Sequence, residues 1–476
     1  MSLLHLPAEL LHALCLFCSR NEIESLRLTC QLLKRIADEH LLDEIITCYE
    51  YNDLLNVSEI ANDASPAIRE NVRSFLFQAD AFPAAPYWSR HHWNSERRKF
   101  FRGVEQETKD FMRNIGSRIK TKRSPKLFEA LRRYYQCSID PAMLPGREKA
   151  ASHEDYIELA EEQEWFGEVG HPKRTLQSLF AGCPNIKSVA INSGHRLRRN
   201  AGLTNLAYLR SLTIPHCYQE KPMAYAVKTT FAAAANAGIK LESLAIGGVT
   251  PIFVRPTEDA GDKNEDDTSV GIPQNQLYEL TSQLKNLRLI FLGEDDLGAD
   301  MEFPFDEGHL VSWLSNCSRI EHLRLDLPPA PYPNWRVPFQ HFLGENLHFS
   351  SLRLLHLESF QTRAEQLAQF LLRHKESLVE LELSDIHLSS GSWPDCLALF
   401  AGKLENLRRA RVRGFLTSFN DGSDEWFTFD LCSSHVELEQ TIVEGGEIVL
   451  PPPLIDRDSD EDIEFYVGED DDDEEY

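Results

Sequence analysis

Eight short segments in the later two thirds of the chain share one pattern, with apolar residues at positions one, four and six. They are IKSVAI (186–191), LRSLTI (209–214), LESLAI (241–246), LRLIFL (287–292), IEHLRL (320–325), LRLLHL (352–357), LVELEL (378–383) and LRRARV (407–412). Their starts lie 23, 32, 46, 33, 32, 26 and 29 residues apart. Alternation over the last positions of each copy predicts a strand with one buried face. The phrases between them, TLQSLF, TTFAAAANA, LYELTSQL, LVSWLSN, AEQLAQFLLRH and CLALFAG, read as helices. The longest interval holds VRPTEDAGDKNEDDTSVGIP, polar and without periodicity, which predicts a mobile insertion over 250–273. Cys183 and Cys317 each stand three residues before the first apolar position of a copy. That shared offset predicts cysteines that plug the interior.

A strand and a helix repeated at this period form the leucine-rich-repeat pattern, so residues 166–435 are expected to build an irregular solenoid with a parallel concave sheet and outer helices. Positions three, five and seven of each copy then line the concave face. Read this way, Leu289 and Phe291 form an exposed apolar pair suited to anchoring a partner. Arg324 and His356 stand on the same face. Arg409, Arg411 and Arg413 could receive an acidic or phosphorylated segment. The same registers place Glu380 beside Arg409 and Glu382 beside Arg411 as ordinary opposite-charge ladder pairs. Arg413, opposite Ser384, is left without an acidic neighbour.

The first 40 residues follow a different rhythm. Leu6-Pro7 opens an apolar helix containing Leu10, Leu11, Leu14, Phe17 and Cys18. A polar break follows, with Asn21 expected as N-cap and Glu24 three residues on. LRLTCQLL then leads into a third helix. Three helices of this size cannot cover all these apolar side chains among themselves. The stretch LLHLPAELLHALCLFCSRNEIESLRLTCQLLKRIADE resembles an F-box, with Glu22-Ile23 where the family commonly has Asp-Leu. The resemblance implies that residues 1–45 dock a Skp-type adaptor, and through it a cullin. It also implies that Leu6, Pro7, Leu10, Leu11, Leu14, Leu26 and Leu28 include the adaptor-facing side chains. Residues 46–165 read as a helical linker region, with an extended run at Val72 to Phe77. The Pro-x-Ile-x-x-x-Val-Arg-Ser phrase from Pro66 and the later YIELAEEQEWF are similar to the linker of fungal F-box proteins.

Composition adds exclusions. At 476 residues and 42% hydrophobic the chain suits a multi-domain globular protein, and no run reaches the ~18 apolar residues of a membrane span. A cytoplasmic or nuclear protein is expected. The formal charge is −26, but residues 456–476 hold thirteen acidic side chains against one arginine, a local net of −12. Within the C-terminal extension 436–476 this predicts a disordered acidic tail, with an intramolecular lid as the sharper alternative. Residues 90–149 hold sixteen basic and seven acidic side chains, a net of +9 that reads as solvated helical faces. The combination argues against a nucleic-acid partner. Ten cysteines without framework spacing read as reduced. Cys15-x-x-Cys18 has no second ligand pair and His91-His92 no accompanying ligands, so neither a metal nor a cofactor is expected. Phosphate-binding loops, dinucleotide fingerprints, zinc-protease motifs and nucleophile elbows are absent from the sequence, and no enzymatic activity is expected of the chain itself. The resemblance thus implies an α/β substrate receptor of an SCF-type cullin–RING ubiquitin ligase, its repeats holding an unidentified target protein. A non-catalytic repeat scaffold is the alternative, and an enzyme the third.

Overall fold

The computed structural model describes residues 6–79, 90, 153–168, 170–192, 220–249, 251–254, 273–291, 305–328, 336–344, 346–420, 423–429, 436–448 and 450. They form a mixed α/β structure. Three short helices open it: α1 (Ala8–Cys15), α2 (Arg20–Arg27) and α3 (Gln31–Leu41). A twelve-stranded sheet follows. Ten of its strands lie side by side in the order in which the chain makes them. These are β1 (Glu44–Cys48), β2 (Ser74–Gln78), β3 (Ser188–Asn192), β4 (Ser243–Val249), β5 (Asn286–Phe291), β6 (His322–Asp326), β8 (Leu354–Glu358), β10 (Glu380–Ser390), β11 (Arg409–Asn420) and β12 (Ser423–Phe429). All neighbours run parallel until β12, which turns back antiparallel on β11. The short β7 (Val337–Pro338) pairs with β9 (Phe360–Arg363), which pairs with the far half of β10.

Helices fill the connections: α4 (Tyr51–Asp63), α5 (Pro66–Asn71), α6 (His153–Glu168), α7 (His171–Gly182), α8 (Glu220–Asn236), α9 (Gln274–Thr281), α10 (His309–Asn316), α11 (Ala364–Arg373) and α12 (Trp393–Phe400). After the last strand comes α13 (Val436–Glu444). None is long and apolar enough to cross a membrane. Parallel neighbours require such crossovers, because a tight turn can only reverse the chain.

The core lies between the sheet and these helices. Positions one, four and six of the copies supply it: Ile186, Val189 and Ile191, then Leu241, Leu244 and Ile246, and on to Leu407, Ala410 and Val412, all buried. Hydrogen-bond registers stack them, Leu244 beside Leu287, Leu323, Leu355 and Leu381 in successive strands. Cys183 and Cys317 are fully buried at the ends of α7 and α10, and burial pushes their thiols up to about 11 and about 12. Along the sheet's lower edge Glu242 accepts from Lys187 (2.5 Å) and Lys285 (2.9 Å), contacts that hold its carboxyl down at about 2.

Four expectations are corrected. The fourth copy begins at Leu284, not Leu287, because Leu284, Leu287 and Leu289 occupy the buried positions. The run from Leu287 to Leu292 is apolar throughout but for Arg288, so alternation could not fix its phase. The region 46–165 is not only helical: β2 lies in the same sheet between β1 and β3, since Val72, Phe75 and Phe77 supply a strand's buried face. The copy at 209–214 lies outside the described residues, and Ser188 pairs directly with Ser243, so no strand separates β3 from β4. The start of the 250–273 insertion is packed: Pro251–Val254 forms a 3₁₀ turn, with Phe253 set edge-on to Trp313 at 5.6 Å. The 456–476 segment lies outside the described residues.

Candidate functional site

Two surfaces concentrate chemistry that folding alone does not require. The first is on α1 to α3. Pro7 precedes α1, and its carbonyl accepts from the amides of Leu10 and Leu11. Ser19, not Asn21, caps α2: its amide and hydroxyl both donate to Glu22 Oε2, at 2.6 and 2.7 Å. Those bonds lower the Glu22 pKa. Glu22 stands three residues after Ser19, the capping-box spacing. Leu11, Cys15, Leu33 and Ile36 make a small separate core, against which Leu6, Leu26 and Cys30 pack. The buried Asp38 takes Arg27 on one oxygen and the Ser65 hydroxyl, before α5, on the other at 3.1 Å. That pairing ties the unit to the rest of the chain.

What this core does not absorb is large. Leu10 is 53% exposed, Leu16 73%, Phe17 90% and Leu28 89%, with Leu32 also open. Among the described residues only Trp165 and Leu399 are comparable exposed apolar side chains elsewhere. Of the sequence-derived residues, Pro7, Leu10 and Leu28 are exposed and Leu14 is half-buried. Leu11 is corrected: at 1% exposure it belongs to the small core, because α1 turns this position toward α3. Leu16, Phe17 and Leu32 were missed. α1 ends at Cys15, so helical spacing no longer governs the residues after it.

The second surface is the outward face of the central strands. Arg288, Arg324, His356, Glu382 and Arg411 stand in register across five strands. The next row holds Ile290, Asp326, Glu358, Ser384 and Arg413. His356 is buried at the centre. Its Nε2 lies 3.2 Å from Asp326 Oδ1 and 3.3 Å from Glu358 Oε2, and its Nδ1 lies 3.6 Å from Glu382 Oε2. Burial by itself lowers this imidazole's pKa. The three carboxylates outweigh it and hold the pKa up at about 10, so the ring is an imidazolium at neutral pH. Arg324 Nε donates to both Asp326 oxygens, at 2.9 and 3.0 Å. Glu382 is held at about 2, first by His356 and further by Arg413 and Arg411.

Two expectations fail on this face. Leu289 and Phe291 point into the core, and Phe291 packs edge-on against Phe305 at 5.0 Å, so neither is an exposed anchor. The three-residue shift of phase described above, being odd, exchanged the two faces. Arg413 does have an acidic neighbour: its Nη1 reaches diagonally to Glu382 Oε1 at 3.0 Å. Arg411 lies 3.5 Å from the same carboxylate, and Arg409 4.0 Å from Glu380. Only the folded sheet brings Asp326, Glu358 and Glu382 around one imidazole.

Asp326, His356 and Glu358 place one ligand atom each within 4.8 Å of one another, a spacing a divalent cation can use. A cation there would compete with Arg324 for Asp326 and with the Nε2 proton for His356, and the residues are better described as an ion-pair network. Beside it the chain bends through left-handed backbone at Ser359 (φ 62°), Asp385 (φ 55°) and Gly414 (φ 66°), positions that follow one another across β8, β10 and β11. Neither a scan against protein-family models nor a search of curated proteins returns a match for this chain.

Proposed function

We propose that the chain is the substrate-recognition subunit of an SCF-type cullin–RING ubiquitin ligase. In this reading residues 1–45 are an F-box that docks a Skp-type adaptor, and the sheet with its helices is a leucine-rich-repeat solenoid that holds a target protein. The exposed apolar surface of α1 to α3 carries the reading. A unit with a four-residue core leaves Leu10, Leu16, Phe17 and Leu28 in water, a cost that binding a partner removes. Strands laid down in chain order support the solenoid.

The mechanism needs no bond-making group on this chain. Holding a target and a ubiquitin-charged enzyme in one assembly turns an encounter between separate molecules into an intramolecular one, and raises the effective concentration of target lysines. The charged face around His356 would orient the target, since a fixed array of both signs selects a register. The test is co-purification: the tagged chain should bring down a Skp-type adaptor and a cullin. A chain that captures other proteins without either would be a repeat scaffold instead.

A further inference from the structure

We propose that His12, His40 and Glu39 form a zinc site that staples α1 to α3. The two imidazoles meet between the helices, with His12 Nδ1 lying 3.0 Å from His40 Nε2. Glu39 Oε2 stands 3.7 Å from the same His12 nitrogen. The packing beneath fixes both backbones. Leu11, beside His12, and Ile36, one turn before His40, belong to the small core that joins α1 to α3. Positions 12 and 40 lie 28 residues apart, so no local motif announces the pair.

A hydrogen bond between two imidazoles needs one proton, carried by one ring and accepted by the lone pair of the other. Both residues are half-buried, so water reaches them. Moving that proton through water to the outer nitrogen of its own ring leaves two lone pairs facing one region, with no net proton lost. Two ring nitrogens on one tetrahedral zinc, each at ~2.0–2.1 Å, lie ~3.4 Å apart, and their ring centroids ~5.2 Å apart. The centroids here are 5.2 Å apart. The rings therefore need only turn in place to part their nitrogens by a few tenths of an ångström. The Glu39 side chain is 42% exposed, so its carboxylate can close a similar gap to become the third ligand, and water completes the four.

The ligands select the ion. Two imidazoles with one carboxylate suit zinc, whereas magnesium and calcium prefer oxygen alone. His40 offers its lone pair at neutral pH, because burial first, and then His12, lower its pKa, with Glu39 opposing. The imidazole of His356 differs, being kept protonated by three carboxylates. An ion bound here would lock together helices that meet over a four-residue core, and would hold the exposed Leu10, Leu16 and Phe17 in one orientation. The inference stands whether or not that face docks an adaptor.

The zinc affinity of the full, reduced chain, measured by competition with a chromogenic chelator, tests the site. His12→Gln, His40→Gln and Glu39→Gln should each weaken the tightest zinc site by at least ~10-fold, the lower end of what even the loss of a group behind a metal ligand costs. Affinity unmoved by any one of them would overturn the three-ligand site. X-ray absorption on the zinc-loaded wild-type chain reads the same site without a variant. The expected result is nitrogen and oxygen neighbours at ~2.0–2.2 Å with the scattering of two imidazoles. Sulfur at ~2.3 Å would put the ion on cysteines such as Cys15 and Cys18, and an all-oxygen shell would put it on carboxylates. Either shell, or a chain that takes up no zinc at one equivalent, would overturn the proposal.

Discussion

His374 gives the sharpest stability prediction. It is 1% exposed, with both ring nitrogens assigned by their partners. Nδ1–H donates to the Phe370 carbonyl at 2.8 Å, and Nε2 accepts the Phe349 amide at 3.0 Å. A proton on Nε2 would face another N–H, so the fold requires the neutral ring. Burial is the main cause that lowers the pKa from 6.5 to about 4, with His348 and Arg373 adding to it. The unfolded chain therefore takes up this proton near pH 6.5, before the folded chain does. Stability from His374 is complete above that pH and is lost as the pH falls toward 4, a difference worth about 3 kcal/mol. His374→Leu removes the titration but leaves the Phe349 amide and Phe370 carbonyl unpaired, costing about 1–3 kcal/mol for each group. Urea unfolding of both proteins between pH 4 and 7.5 should show the wild type clearly ahead at pH 7.5 and the gap narrowing by about 3 kcal/mol at pH 4. Carboxylates common to both chains cancel in the difference. A gap constant across that range would refute the assignment.

His356 predicts the opposite slope. Its folded pKa is raised to about 10, so its contribution is whole below pH 6.5 and is lost as the pH rises toward 10. His356→Phe should flatten that alkaline decline in thermal melts. Leu289→Ala should cost about 2–5 kcal/mol in urea unfolding and Leu28→Ala less than about 0.5, because the first is fully buried and the second is in water. Gly414→Ala should destabilise by at least about 1–3 kcal/mol, since φ is +66° and a Cβ there would collide with the Asp385 carboxylate.

The sheet was legible because seven copies repeat their buried positions, and a repeated error is less easily made than a single one. Phase was lost where the pattern saturates, at Leu287 to Leu292, and there the two expected anchors turned out to be core. β2 was legible as an extended run, but its place in the sheet was not. VRSFLF (72–77) has apolar residues at positions one, four and six as the copies do, but it stands alone more than a hundred residues before the first of them, with no neighbouring copy to mark the repeat. On α1 to α3 the surplus of apolar residues was visible in the sequence, whereas the division between Leu11 inside and Phe17 outside depends on where α1 ends. The His356 network joins residues from β6, β8 and β10, up to 56 positions apart, and no local pattern announces it.

The most direct test of the proposed function is the affinity of the purified chain for a purified Skp-type adaptor. With Phe17→Ser and Leu28→Ser combined, binding should weaken by ~1,000-fold, as expected when two exposed anchors worth about 2 kcal/mol each are removed. The melt should stay unchanged, because neither side chain contributes to a core. Adaptor binding of equal strength in the double variant, or no binding by the wild-type chain, would contradict the reading.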